Sequence, residues 1–398
     1  MKKHFMFAAC LAAGFMVSCS NDDKSFTVTT DDSQSAPIMF TLGGNAVDVT
    51  TRGTGAVGDV DGDKNIWRGE KLNVYMFNKG TFTIAGNDAN YDEEITADEY
   101  LFENTEITAN NSDNSSVVAS YEGNKYYPMT GNYDFFAYYA DDAVQGAPAE
   151  SGDKYVIPVV IDGSQDLMVA KADMPAAQKD AFVAAVGEDN KDRYYSAFSA
   201  RRAIGVDGLA DENGVQPHFE FNHLLSRFVF SVKPVGLAAD NVDGKGVSVN
   251  AIKFKNAKTT ADMTIASYAE NFHENALAIN DEVTADIYLQ ERVDADNASD
   301  LQALTPAIYS DSTKVGESLL VFPAEKYDMV IELSQMPDGV NNYVFPYEHA
   351  LSVAGGFKPG YQYNVVITIY SLEDIRLDVK LTPWKLYEDN LEVNNDLY

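Results

Sequence analysis

Residues 374–382 read DIRLDVKLT, in which Ile375, Leu377, Val379 and Leu381 alternate with polar neighbours. A period of two puts the apolar set on one face of an extended chain. Pro383 ends the run, because it has no amide hydrogen to give to a ladder. Upstream, the same kind of signal recurs in HFEFNHLLSRFVFSV (218–232), VSVNAIKFKN (247–256), ADIYLQER (285–292), SLLVFP (318–323), YDMVIELS (327–334) and YQYNVVITIY (361–370). Turn-forming Gly, Asn and Asp separate the runs.

The N-terminal half repeats the pattern. Leu72, Val74 and Met76 alternate in KLNVYMF, and Tyr133, Phe135, Ala137 and Tyr139 do so in NYDFFAYY. KYVIPVVI (154–161) and DLMVA (166–170) follow. The main helical candidate is Ala176 to Val186, short enough to be a connection. Many short strands with little helix predict an all-β protein built of β-sandwiches. No short-period repeat points to a propeller or solenoid. The 398 residues exceed one ordinary core, and the glycines at 205, 208 and 214 mark a loop-like stretch. The expected division is a first sandwich over 53–213 and a second over 214–398.

Composition narrows the partners. With 61 acidic and 29 basic residues the net charge is -32, a field that repels phosphate backbones and anionic lipid surfaces. Nucleic acid is therefore not expected as a partner. The 12% of aromatic residues, 23 Tyr and 21 Phe among them, favours strands.

The chain begins MKKHFMFAACLAAGFMVSCSNDDK. Lys2 and Lys3 precede an apolar run, Phe5 to Val17, that is too short for a bilayer-spanning helix of about 20 residues but right for a secretory signal. Met16-Val17-Ser18-Cys19 resembles a bacterial lipobox, so residues 1–18 are expected to be a signal peptide. Cys19 would then be lipidated and anchor the chain to the outer membrane. The only other cysteine, Cys10, lies in the signal, which leaves no disulfide in the mature chain. After a polar tether, Ile38, Phe40 and Leu42 share one face of a short strand. The following Thr51-Arg52-Gly53-Thr54-Gly55 is exposed by composition.

Taken in order, IWRGEKLNVYMF (66–77), DLMVAKA (166–172), FEFNHLLSRFVFSV (219–232), VFPAEKYDMVIEL (321–333), FKPGYQYNVVITI (357–369) and DVKLTPW (378–384) resemble the fimbrillin-like proteins of Bacteroides and Porphyromonas. The resemblance implies two tandem transthyretin-like Greek-key β-sandwich domains and a role as a subunit of a type V pilus. It implies export as a lipoprotein and removal of the leader, 19–52, by an arginine-specific protease. Arg52 and Gly53 match that processing site. Ile38, Phe40 and Leu42 would be the removable leader strand, and its groove would accept a strand from another pilus subunit. The family's donor strand lies near the C-terminus, where Leu391, Val393 and Leu397 share one register, interrupted by Asn395. A frayed terminus remains the alternative for that tail.

DVDGDKNIWRGE (59–70) has acids at positions 1, 3, 5 and 12 of a calcium loop, but Lys64 occupies position 6, where such a loop turns on glycine. A solvated acidic loop is the expectation, with no metal and no cofactor. His218, His223, His273 and His349 show no metal-ligand spacing, and His223 is expected to be a hydrogen-bonded structural residue. Nucleophile elbows, phosphate loops and nucleotide fingerprints are all missing, so no enzymatic activity is expected. Arg201-Arg202 offers a second protease site or an interdomain surface pair. The rival to a pilus subunit is an anchored surface lipoprotein or tip adhesin that binds glycans or host proteins.

Overall fold

The alternating runs become strands in the computed structural model, which describes residues 36–43, 69–78, 101–109, 116–123, 125–128, 133–152, 154–173, 198–203, 216–239, 246–267, 269, 271–293, 301–335, 343–371 and 374–383. In chain order the strands begin with β1 (Phe40–Gly43), β2 (Lys71–Asn78), β3 (Thr105–Ala109), β4 (Ser116–Ser120) and β5 (Tyr133–Tyr139). Next come β6 (Ala149–Ser151), β7 (Lys154–Val160), β8 (Met168–Asp173), β9 (His218–Phe219), β10 (Asn222–His223) and β11 (Ser226–Pro234). Then follow β12 (Ser248–Lys258), β13 (Thr260–Ser267), β14 (Leu277–Ile279), β15 (Thr284–Tyr288), β16 (Gln290–Arg292) and β17 (Leu301–Ala303). The last are β18 (Ala307–Ile308), β19 (Thr313–Val321), β20 (Lys326–Gln335), β21 (Tyr343–Ser352), β22 (Tyr361–Ile369) and β23 (Ile375–Pro383). The all-β expectation holds. Among the described residues, helix is confined to a single α-turn, Ala200–Ala203, and short 3₁₀ turns. The helical candidate at 176–186 lies outside the described residues.

Four larger sheets carry the fold. The first runs β10-β8-β5-β2-β3-β4-β1-β9, and β9 also pairs with β8. Pairing therefore passes from β8 through β5, β2, β3, β4, β1 and β9 and returns to β8. The second runs β14-β13-β7-β6, the third β19-β11-β22-β23 and the fourth β15-β12-β20-β21. Antiparallel ladders dominate, but β11 lies parallel to β22 and β1 parallel to β9.

Three apolar cores follow from the period of two. One face of the first sheet (Leu72, Val74, Met76, Phe135 and Ala137) closes over Phe40 and Phe219. Its other face (Tyr75, Phe77, Phe136, Tyr138) packs on Ile157, Val159, Met263 and Ile265 of the second sheet. Hence every residue of β5 is buried, whereas the sequence marked only alternate ones. A strand covered on both faces needs no polar face. The third core lies between the third sheet (Phe228, Phe230, Val365, Ile367) and the fourth (Ile252, Phe254, Met329, Ile331). Ile375 of β23 is buried there, while Leu377 and Val379 are only partly covered because β23 is an edge.

The chain crosses between these layers without a linker. Only Thr259 separates β12, in the fourth sheet, from β13, in the second. Strands β6 and β7 consequently share the second sheet with β13 and β14, from the other side of the expected division at 213/214. Gly163 permits another close crossing. Its φ is 103°, and a Cβ there would lie 2.5 Å from Ile287 Cγ2 and 2.7 Å from Leu319 Cδ1. Glycine alone meets both conditions.

Candidate functional site

The candidate site is the leader strand and the groove that holds it. The inward residues Ile38, Phe40 and Leu42 are 1%, 0% and 0% exposed, whereas the outward Met39 is 49% exposed. Alternation in the leader thus matches one buried and one solvent face. Main-chain bonds hold it on both sides. Phe40–Gly43 runs antiparallel to Ala119–Ser116, and Thr41 and Leu42 lie parallel to His218 and Phe219. Just before β1, Ile38 N donates to Lys125 O at 3.0 Å and Tyr127 N to Ala36 O at 2.9 Å.

Two side chains complete the main-chain pairing. Gln216 accepts from Met39 N at 3.2 Å and donates to Pro37 O at 3.1 Å, acting as a short surrogate strand. The Tyr121 hydroxyl donates to Ile38 O. Burial pushes the Tyr121 phenol above its ordinary value, which keeps it a neutral donor.

Phe40 is the anchor. Its ring centroid lies 5.1 Å from that of Phe102, 5.4 Å from Phe135, 5.5 Å from Phe219 and 6.0 Å from Tyr121. The contacts with Phe102, Phe135 and Tyr121 are edge-to-face, the geometry favoured by the ring quadrupole. The Lys125 ammonium lies 5.0 Å from the Phe102 ring and donates to Leu101 O at 2.6 Å, holding that wall. Withdrawal of β1 would bare the edges of β4 and β9 and open this apolar box, a surface prone to pairing with another strand.

Cys19, Arg52, Gly53, Leu391, Val393 and Leu397 lie outside the described residues. So does the acidic loop as far as Arg68; its last residue, Glu70, is 5% exposed at the head of β2. Its carbonyl accepts from Ala109 N. Arg201-Arg202 falls in the α-turn Ala200–Ala203. Gln216 and Tyr121 carried no sequence signal, since a clamp made through main-chain atoms leaves no pattern in side-chain periodicity.

A second polar cluster sits beside β8. His223 Nδ1 lies 2.9 Å from Asp166 Oδ2, with both side chains buried, as befits a structural histidine. Desolvation of its carboxylate, then the charges of Asp142 and Asp166, push Asp141 up to about 6. Above that value the folded protein holds a carboxylate disfavoured relative to the unfolded chain, whose Asp titrates near about 3.9. Stability from this group thus falls as pH rises from about 4 to about 6. Asp141→Asn should stabilise the protein at pH 7 by up to about 1 kcal/mol, a value limited by solvent screening at this exposed residue. The gain should vanish below about pH 4, where Asp141 is protonated in both states. Denaturant midpoints at the two pH values check this. Among the described residues no three His, Cys, Asp or Glu side chains gather to hold a metal ion, and no helix is long and apolar enough to cross a membrane.

The geometry can be set beside known proteins. A fimbrial protein from Bacteroides vulgatus shares 12% identity over 88% of this chain and 99% of its own, with a TM-score of 0.46. The fimbrial anchor protein Mfa2 from Porphyromonas gingivalis shares 11% identity over 87% of this chain and 98% of its own, with a TM-score of 0.33. Comparison with curated protein sequences finds no match. The profile of the fimbrillin-like proteins matches residues 51–384, most of the chain, beginning one residue before Arg52. The chain therefore belongs to the fimbrillin-like family.

Proposed function

We propose that this protein is a structural subunit of a type V pilus that supports adhesion. In this reading it is exported as an outer-membrane lipoprotein on Cys19, cut after Arg52 by an arginine-specific protease, and polymerised by strand exchange at the cell surface. The first two sheets and the last two then correspond to the family's tandem transthyretin-like sandwiches. One observation carries the proposal. A short N-terminal strand, upstream of Arg52, fills a groove inside the first sheet and is held by side-chain burial and main-chain pairing.

Such a strand is replaceable by another of the same shape. Each fully buried apolar side chain contributes roughly 1.5–3 kcal/mol. Each backbone hydrogen bond adds about 1 kcal/mol. While the leader is covalently attached, its effective concentration at the groove is high and no other strand competes. After a cut at Arg52 that advantage is lost, and an incoming strand can take the same contacts. The leader is thus a plug that keeps the precursor soluble until assembly.

Arg52→Ala tests this. The expected product is a longer, folded monomer that does not enter filaments. Filaments of normal length from the variant would show that cleavage at Arg52 is not the trigger.

A further inference from the structure

We infer that the groove opens at one wall, residues 216–221, which form a strap that the leader itself helps to hold shut. This rests on the strand-exchange reading above and adds the movement that controls access to the same groove.

The first sheet offers no free edge beside the leader. Pairing runs from β8 through β5, β2, β3, β4 and β1 to β9 and returns to β8, so β1 is one member of a closed circuit. While β1 lies in place, no other strand can reach the facing edges of β4 and β9. The circuit must open before one member is exchanged, and local opening is easiest where the fewest bonds hold. Among the described strands of the circuit, β9 alone is paired at just two residues on both sides. His218 and Phe219 meet Thr41 and Leu42 of the leader on one side, and Asp173 and Ala172 of β8 on the other. By contrast, β1 meets β4 at four consecutive residues, from Phe40 opposite Ala119 to Gly43 opposite Ser116.

Much of what holds the strap comes from the leader. Gln216 bonds to Met39 N and Pro37 O, and the Phe219 ring lies 5.5 Å from that of Phe40. Leader and strap therefore stabilise each other, and loosening one loosens both. The far end of the same segment is fastened to the body instead. Asn222 and His223 pair with Val169 and Met168, and Leu224 N donates to Leu167 O at 2.8 Å. His223 Nδ1 lies 2.9 Å from the buried Asp166 carboxylate. Gly360 N donates to Leu225 O at 2.9 Å, and the Ser226 hydroxyl to Lys358 O at 2.9 Å. These bonds run to β8, to the residues just before it and to the 358–360 turn, not to the leader. The strap thus turns about residue 222 while residues 223–226 stay in place.

The test locks the strap. Asp173 and His218 stand opposite each other in the antiparallel β8–β9 pair, and both are partly exposed. Residues so paired lie about 4.5–5.5 Å apart at Cα, within disulfide reach. The full chain carrying Asp173→Cys and His218→Cys is cut after Arg52 with its leader still bound, then challenged with a labelled peptide of residues 35–43. With the disulfide formed and verified by mass, peptide uptake should be at least about tenfold slower than in the parent chain. Reduction should restore the parent rate. Uptake at the parent rate with the disulfide intact would overturn the strap and leave strand exchange standing. No uptake by the parent or the reduced variant would overturn strand exchange and the strap together. Hydrogen exchange on the uncut parent needs no variant. Amides of residues 216–219 should exchange together with those of residues 40–42, at least about tenfold faster than those of residues 135–137 in β5. Exchange at 216–219 as slow as at 135–137 would also overturn the strap.

Discussion

Phe40→Ala should destabilise the uncut chain by about 3–5 kcal/mol, the cost of emptying a fully buried aromatic site. The ring is 0% exposed and meets four other rings, so neither solvent nor a simple side-chain shift can refill the space. Phe135 and Phe219 stand on β5 and β9 of the first sheet and Phe102 just before β3, all fully buried, so rigid neighbours limit collapse onto the cavity. Met39→Ala is the matched control. That side chain is 49% exposed and faces solvent, so its loss should change stability by no more than about 0.5 kcal/mol. Denaturant unfolding of both variants provides the comparison. Equal stabilities would mean that the leader contributes nothing to the first core.

Leu391→Asp with Val393→Asp should abolish assembly, while the same change at Glu392 and Asn394 should leave it intact. Successive side chains of a strand point to opposite faces, so the first pair would enter a neighbour's groove and the second would face solvent. A carboxylate without a partner is too costly to bury in an apolar groove. Both variants should fold and be secreted normally, because residues 391–394 lie beyond β23, which ends at Pro383 and is the last strand among the described residues. Filament yield from the two double variants decides it. Equal yields would remove the tail as donor and favour an anchored binder.

Much of this was legible from a period of two. KLNVYMF announced β2 through Leu72, Val74 and Met76 alone, although Tyr75 and Phe77 on its other face are buried against the second sheet. DIRLDVKLT announced β23, because alternation survives wherever one face meets a core and the other meets water. The inward set Ile38, Phe40 and Leu42 could be read for the same reason. Burial on both faces was not legible at β5. NYDFFAYY alternates nothing polar after Asp134, and only the second sheet's cover over Phe136 and Tyr138 explains it. The passage of one extended segment from β12 into β13 was equally hidden. Nothing at Thr259 breaks the strand pattern, yet the pairing partner changes there from β20 to β7. Which strands pair is a long-range choice, made by packing across sheets and not by local propensity. The leader's clamp escaped notice because Gln216 acts on backbone atoms 177 and 179 residues away. The His223–Asp166 pair was half legible: strand context marked the histidine, but its partner came only from the fold.

The most direct test of the central claim is the N-terminal residue of the protein recovered from assembled cell-surface filaments. A subunit that has lost its plug and accepted another strand must begin at Gly53. Recovery of chains that begin at Cys19, with residues 36–43 still attached, would contradict replacement of the leader and with it polymerisation through this groove.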